Sequence, residues 1–307
     1  MRPITVLATT TLLALGTMSP AGATYEGQEG RIAFGAFVAT DRTQGDIWSV
    51  RPDGQALRQL TDAAGLDICP AYSADGKHIA FCSNRTGAYE IWVMDANGKD
   101  ERQLTALGAR SLFPDFSPDG STVAFAGPVV TGGVTDLWTV PTAGGTPIRV
   151  TDTPDVAERL PVWSPDGNTL LYVAGPPTNA SAQLWTLDVA TGIRTQLTFD
   201  DTFKDQTPDW SPDGQLIAYE AGEDVWRMAA DGTGQVNLTQ TPSIAEFGAA
   251  FSPDGTEISF TGTGGPVPAG ERYVQVMAAD GSDRHVLVPT PGLLQAVPAW
   301  QPLGAGR

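Results

Sequence analysis

Pro208-Asp209-Trp210-Ser211-Pro212-Asp213-Gly214 is one copy of a motif that recurs along the chain. It returns as PAYSADG at Pro70–Gly76, PDFSPDG at Pro114–Gly120 and PVWSPDG at Pro161–Gly167. Ala249–Gly255 (AAFSPDG) replaces the first proline, and Pro298-Ala299-Trp300 opens a sixth copy that goes no further. The aromatic residues at 72, 116, 163, 210, 251 and 300 lie 41 to 49 residues apart. A fixed period of that size marks a repeat architecture.

Each unit holds three more apolar runs. After the Asp-Gly comes Ile79-Ala80-Phe81 or its like, at Val123-Ala124-Phe125, Ile217-Ala218-Tyr219 and Ile258-Ser259-Phe260. A third run pairs an aliphatic residue with Trp: Ile47-Trp48, Ile91-Trp92, Leu137-Trp138, Leu184-Trp185 and Val225-Trp226, with Val274-Gln275 in the sixth. A fourth ends in threonine: Leu60-Thr61, Leu104-Thr105, Val150-Thr151, Leu197-Thr198 and Leu238-Thr239. Short alternating runs between Gly, Asp and Pro turns are strands. Four of them per unit make a propeller blade, so the spacing predicts an all-β fold.

The termini explain closure. Residues 31–61 supply strands two to four of a blade that lacks its first, and residues 296–301 supply a first strand with nothing after it. The two ends are expected to complete one blade, giving a six-bladed ring over residues 31–302 and a tail at 303–307. Closure would remove exposed edges between terminal blades. All eight tryptophans fall on the first or third strand and are expected to fill the space between sheets.

Composition narrows the function. Of 307 residues, 18 are Lys or Arg and 35 are Asp or Glu, a net charge of −17. No basic cluster stands out, which excludes a phosphate-tracking nucleic-acid binder. Before the repeats, Met1-Arg2 precedes a mostly apolar stretch, Ile4–Leu15, and then Ala21-Gly22-Ala23. This reads as an export signal cut after Ala23, followed by a short segment at 24–30. The apolar stretch is too short to span a bilayer, so the mature chain is expected to be extracytoplasmic, soluble and monomeric.

The motif Pro-x-Trp-Ser-Pro-Asp-Gly, followed by Ile-Ala-Phe, Ile-Trp and Leu-Thr, resembles the WD40-like (PD40) repeats of TolB-type propellers. Ser83-Asn84-Arg85-Thr86-Gly87 is similar to a Ser-x-Arg-x-Gly segment of those repeats. The resemblance covers roughly residues 31–302. It implies a rigid platform that hosts many activities. The N-terminal α/β domain of TolB and the hydrolase domain of prolyl-oligopeptidase-like enzymes have no counterpart in these 307 residues.

Few residues suit catalysis. There is no Gly-x-Ser-x-Gly, and the two histidines, His78 at the start of a second strand and His285 near an outer fourth strand, are expected to be solvated. The repeat serines and the aspartates Asp75, Asp119, Asp166, Asp213 and Asp254 read as turn residues. A second acidic set precedes each first strand: Asp67, Glu158, Asp205 and Glu246, with Ser111 and Gln295 completing the six. The family resemblance implies that this segment faces the mouth of the central channel. Asp67, Glu158, Asp205, Glu246, Gln295 and the adjacent Arg159 are thus the candidate binding residues, and the four carboxylates are candidate ligands for Ca²⁺. A solvated rim and a cationic partner segment are the other readings of that ring.

Cys69 and Cys82 are the only cysteines. If residues 74–77 form the turn between two strands, Ser73 faces His78 and the register puts Cys69 opposite Cys82. A cross-strand disulfide is expected, contributing roughly 3 kcal/mol, with two buried thiols as the alternative. The functional expectation is an exported module that binds a protein, peptide or glycan through one face or the funnel. A small Ca²⁺-assisted hydrolase or lyase is the alternative, and a structural envelope component a third possibility.

Overall fold

The computed structural model describes residues 30–38, 41–129, 134–177, 181–199, 205–241, 244–263, 267 and 271–302, apart from the side chains of Arg42 and Asp205. The expected leader (1–23), residues 24–29 and the tail (303–307) lie outside the described residues. Six four-stranded antiparallel sheets form the blades of a propeller, and no helix occurs among the described residues.

Blade 1 is shared between the chain ends. Its inner strand is Leu293–Trp300, followed outward by Ile32–Val38, Asp41–Val50 and Arg58–Gln59. Ile32 pairs with Trp300 and Gly35 with Ala296, so the expected closure is present. Blades 2 to 6 begin with inner strands Asp67–Tyr72, Leu112–Phe116, Ala157–Trp163, Asp205–Trp210 and Glu246–Phe251. Their second strands start at His78, Thr122, Thr169, Leu216 and Glu257. The third strands start at Glu90, Thr135, Gln183, Asp224 and Tyr273. The outer strands hold only two or three residues, from Arg102, Ile148, Arg194, Val236 and His285. Such short edges offer little backbone to a passing strand.

The turns do what their residues imply. Ser211 Oγ donates to Asp213 Oδ1 at 2.6 Å and accepts the Leu216 N–H at 2.9 Å, while Asp213 Oδ1 also takes the Gln215 N–H. The other complete copies repeat this arrangement at Ser73, Ser117, Ser164 and Ser252. Hydrogen bonds to the ionised form hold the carboxyls of Asp119, Asp166 and Asp213 below the usual range, the serine hydroxyl acting most strongly.

There are six small cores, one at each blade junction. The deepest aromatics are those of the second strands: Phe34, Phe81, Phe125, Tyr172, Tyr219 and Phe260 are almost fully buried. Each such ring contributes about 1.5–3 kcal/mol by leaving water. The tryptophans sit shallower than expected. Trp300 is buried, but the other seven are half-buried and lean on the cores from their margins. Their indole faces pack while one edge meets solvent, as with Trp138 stacked 6.5 Å from Phe125.

The inner strands share one irregularity that the repeats did not disclose. The residue before each repeat proline, or before Ala249, has a left-handed backbone: Cys69, Phe113, Leu160, Thr207, Gly248 and Val297, with φ between +44° and +71°. In every blade the inner-to-second register slips at this point, the mark of a β-bulge. This corrects the expected cysteine register. Cys82 stands opposite Ile68, not Cys69, because the bulge inserts one residue between Ile68 and Ala71.

Candidate functional site: the central channel

The six inner strands surround a cavity of about 440 Å³ on the propeller axis. Its wall is built from stacked rings, one residue per blade. The bulge residues form one ring and the repeat prolines the next. Then come the residues between proline and aromatic: Ala71, Asp115, Val162, Asp209, Ala250 and Ala299. Pro118, Pro165, Pro212, Pro253 and Pro302 line the end nearest the turns. The wall is therefore largely apolar, with two carboxylates at one level.

Asp115 and Asp209 each bridge to the next blade. Asp115 Oδ2 accepts the Trp163 N–H at 2.7 Å, and Asp209 Oδ2 accepts the Phe251 N–H at the same distance. These N–H groups lie on the free edge of an inner strand, where no sheet partner exists. Burial pushes the Asp115 carboxyl up to about 7, with the charge of Asp209 adding to the effect and the Trp163 bond opposing it. Asp209 is pushed to about 7 for the same first reason, opposed by the Phe251 bond. Such carboxyls sit near half-ionisation at neutral pH on a mostly apolar wall. They favour an occupant that carries positive charge.

Sequence reasoning passed over this pair. The signal was present: Asp is the only charged residue type found between the repeat proline and the aromatic, and it occurs there twice.

The predicted acidic set lies elsewhere. Asp67, Glu158, Glu246 and Gln295 sit at the far ends of the inner strands, are almost fully buried, and do not line the cavity. Asp67 pairs with Arg85 at 2.5 Å, and Arg85 also meets Glu101. Glu158 receives the hydroxyls of Thr151 and Thr153, the latter at 3.0 Å, and Arg194 lies 3.4 Å away. Glu246 meets Arg284, with Thr239 and Thr241 beside it. Burial raises the carboxyls of Glu158 and Glu246 against these partners. The side chain of Asp205 lies outside the described residues. Arg159 is half-buried on its inner strand, and burial disfavours its charge; Arg194 is an ion partner of Glu158.

A third-strand acidic column, unnoticed in the sequence, meets this set across the junctions. Asp46 lies close enough to Asp67 for its carboxyl to rise to about 6, burial being the larger cause. Asp136 approaches Glu158 and bonds Arg149. Between such groups stands the repeat threonine, whose hydroxyl accepts a third-strand N–H: Ile47 to Thr61, Ile91 to Thr105, Leu137 to Thr151 and Leu184 to Thr198, each at 2.9 Å. Blade 6 has Val288 in that position, and Gln295 of blade 1 substitutes: its Oε1 accepts the Val274 N–H at 2.6 Å. The described residues of the acidic set are thus fitted to Arg and Thr partners. Among the described residues no three His, Cys, Asp or Glu converge as metal ligands.

Cys69 and Cys82 are both free thiols. They belong to the core between blades 2 and 3, where Ile68, next to Cys69, pairs with Cys82. His78 lies 3.4 Å from Asp95 at the surface, and His285 is also exposed, as expected.

Comparison with known proteins gives one family. Residues 31–126 and 109–304 match the PD40 family, described as the TolB beta propeller domain. A TolB homolog of Chlorobium luteolum is 48% identical over 42 residues, 14% of this chain and 10% of that protein. Dipeptidyl-peptidase 5 of Porphyromonas gingivalis is 38% identical over 53 residues, 17% of this chain and 8% of that protein. The matches thus span a tenth or less of these curated relatives. Among solved structures, TolB from Acinetobacter baumannii superposes with a TM-score of 0.74 at 22% identity, covering 89% of this chain and 67% of that one. An oligogalacturonate lyase in complex with manganese gives 0.53 at 17% identity, covering 86% and 75%. These structural likenesses speak to fold alone. No helix among the described residues is long and apolar enough to cross a membrane.

Proposed function

Since the chain belongs to the TolB β-propeller (PD40) family, we propose that it is an exported interaction module whose central channel receives a cationic segment of a protein or peptide partner. The observation that carries this reading is the 440 Å³ axial cavity with Asp115 and Asp209 on an otherwise largely apolar wall. An apolar body with a positive head, such as a lysine side chain on an extended segment, matches that lining. The net charge of −17 would also speed encounter with a basic partner. Asp67, Glu158, Glu246 and Gln295 support the frame around the channel and do not touch the ligand in this reading.

The test uses a fluorescein-labelled pentapeptide with one central lysine between leucines. Binding measured by anisotropy should weaken about tenfold in the Asp115→Asn/Asp209→Asn variant, which removes roughly 1.4 kcal/mol of charge attraction. It should also weaken as pH falls through about 7, where both carboxyls take up protons. Equal binding by both proteins sinks the channel reading. Export is tested by sequencing the mature N-terminus, which should begin at Thr24. Export would bring Cys69 and Cys82 into an oxidising compartment.

A second reading, a metal-assisted lyase, is favoured by the likeness to the manganese-bound oligogalacturonate lyase. Oligogalacturonate incubated with this protein and Mn²⁺ or Ca²⁺ would then gain the ultraviolet absorbance of an unsaturated product. No gain leaves the interaction module alone.

A further inference from the structure

We propose that Cys69 and Cys82 form an oxidisable pair in the channel wall, and that closing them into a disulfide alters the wall at blades 2 and 3. The idea that this regulates binding rests on the channel reading above; the chemistry of the pair does not.

Three observations carry it. First, the bulge turns Cys69 out of the strand alternation. It has φ +54°, it shares a core with Cys82, and its neighbour Ile68 pairs directly with Cys82. Second, their access differs. Cys69 lines the cavity, whereas Cys82 is fully buried. Third, Cys82 already has a structural task. Its Sγ accepts the N–H of Phe113, the bulge residue of the next inner strand, at 3.2 Å. Phe113 and Cys69 are neighbours in the channel's bulge ring. A sulfur drawn toward Cys69 leaves Phe113 N–H without its acceptor. In blade 6 the corresponding N–H, on Gly248, is held by Thr207 Oγ1 at 3.0 Å, an acceptor that oxidation cannot remove.

The co-reactant is a low-molecular-weight disulfide or a disulfide-bearing oxidoreductase. The Cys69 thiolate attacks one of its sulfurs from the channel, forming a mixed disulfide and expelling one thiol. Cys82 then loses its proton and attacks the Cys69 sulfur, expelling the second thiol. Two protein thiols are oxidised, one disulfide is reduced to two thiols, and the protons pass to the leaving sulfurs. Burial and the nearby Cys69 thiol hold the Cys82 thiol well above its usual range, so the second step is the slower one.

The experiment treats the reduced full-length protein with oxidised glutathione. It follows three readouts: thiols per denatured chain, hydrogen exchange at the Phe113 amide, and anisotropy of the same lysine pentapeptide. The expected result is loss of both thiols without glutathione retained, at least tenfold faster exchange at Phe113, and a change of at least threefold in peptide affinity. Cys82→Ser keeps an acceptor for Phe113 N–H and should stop at the mixed disulfide, with Phe113 exchange held at its reduced value. Cys69→Ala should leave its one remaining thiol unreacted. Two thiols persisting in the native protein after oxidant treatment, or a disulfide that leaves Phe113 exchange unchanged, overturns the proposal. If the disulfide forms and Phe113 responds but the reduced protein never bound the peptide, the channel reading fails and the oxidisable pair stands. If the reduced protein binds and oxidation changes nothing, the channel reading stands and the regulation fails.

Discussion

The Asp115 carboxylate accepts the Trp163 backbone N–H at 2.7 Å across a blade boundary. Inner strands have a free edge on the channel side, and an unpaired edge N–H in an enclosed space is costly. Asp115 satisfies one such donor and Asp209 another, at Phe251. The same two side chains therefore tie adjacent blades and place charge in the cavity. Both tasks draw on one ionisation, which makes it accessible to pH.

The sign of the pH dependence follows from the raised values. Both carboxyls titrate near 7 in the folded chain and near 3.8 when free, so between those limits the folded state holds more protons. Their contribution to stability is present below about pH 4 and is lost as pH rises through 7. Asp115→Asn/Asp209→Asn keeps an oxygen acceptor for each N–H and removes the charge. We expect the double variant to gain stability on the parent as pH rises from 4.5 to 8, by several kcal/mol for the two groups together. Urea titrations at the two pH values check this, and an equal gain at both would refute it.

Glu246 depends on Arg284 in a buried site. Arg284→Met should destabilise by about 3 kcal/mol, because it strands a carboxylate that burial already disfavours. Since burial raises the Glu246 carboxyl, the loss should be larger at pH 8 than at pH 5. Adding Glu246→Gln should recover most of it. A loss that does not depend on pH would mean that the contact of the Arg284 guanidinium with the Phe260 ring, 5.0 Å from its centre, matters more than its pairing with Glu246.

Gln295 closes the ring chemically as well as topologically. Its amide accepts the Val274 N–H and donates to Val288 O and Thr290 Oγ1. Gln295→Leu should cost about 2–3 kcal/mol through stranded buried groups. Thr198→Val, which removes one such acceptor in blade 4, should cost about 1–2 kcal/mol. Thermal or denaturant melts of the two variants give the order directly, and a Gln295→Leu loss no greater than that of Thr198→Val would contradict it.

A repeat serine should be worth more than its exposed aspartate partner. Ser211 is buried and serves both strands of its turn. Ser211→Ala should cost about 1 kcal/mol, as a buried hydrogen-bonding hydroxyl does. Ser164→Ala in blade 4 should give the same within error, because the geometry repeats. A difference above twofold would show that the turns are not equivalent.

The blade count and the shared blade were legible because Pro-x-aromatic-Ser-x-Asp-Gly sets the period and the incomplete units at the two ends complement each other. The site was less legible. Asp209 lies inside PDWSPDG, but alternation does not tell a channel wall from a blade face, so the pattern of alternation does not single it out. Glu158 and Glu246 were found by spacing, yet their burial depends on Arg194 and Arg284, which come from distant segments. The cysteine register failed for a local reason. Counting back from the turn assumes regular pairing, and a left-handed residue at position 69 breaks it.

Cysteine, phenylalanine, leucine, threonine, glycine and valine all occupy the same left-handed bend of the six inner strands. No single side-chain chemistry accounts for it, so the backbone and the closed circle of blades enforce it together. The bore of the propeller is thereby uncoupled from what decorates it. Each of the six positions is free to vary in polarity, size or reactivity while the scaffold stays in register. A lineage carrying this frame can change what its channel accepts one blade at a time, without refitting the other five.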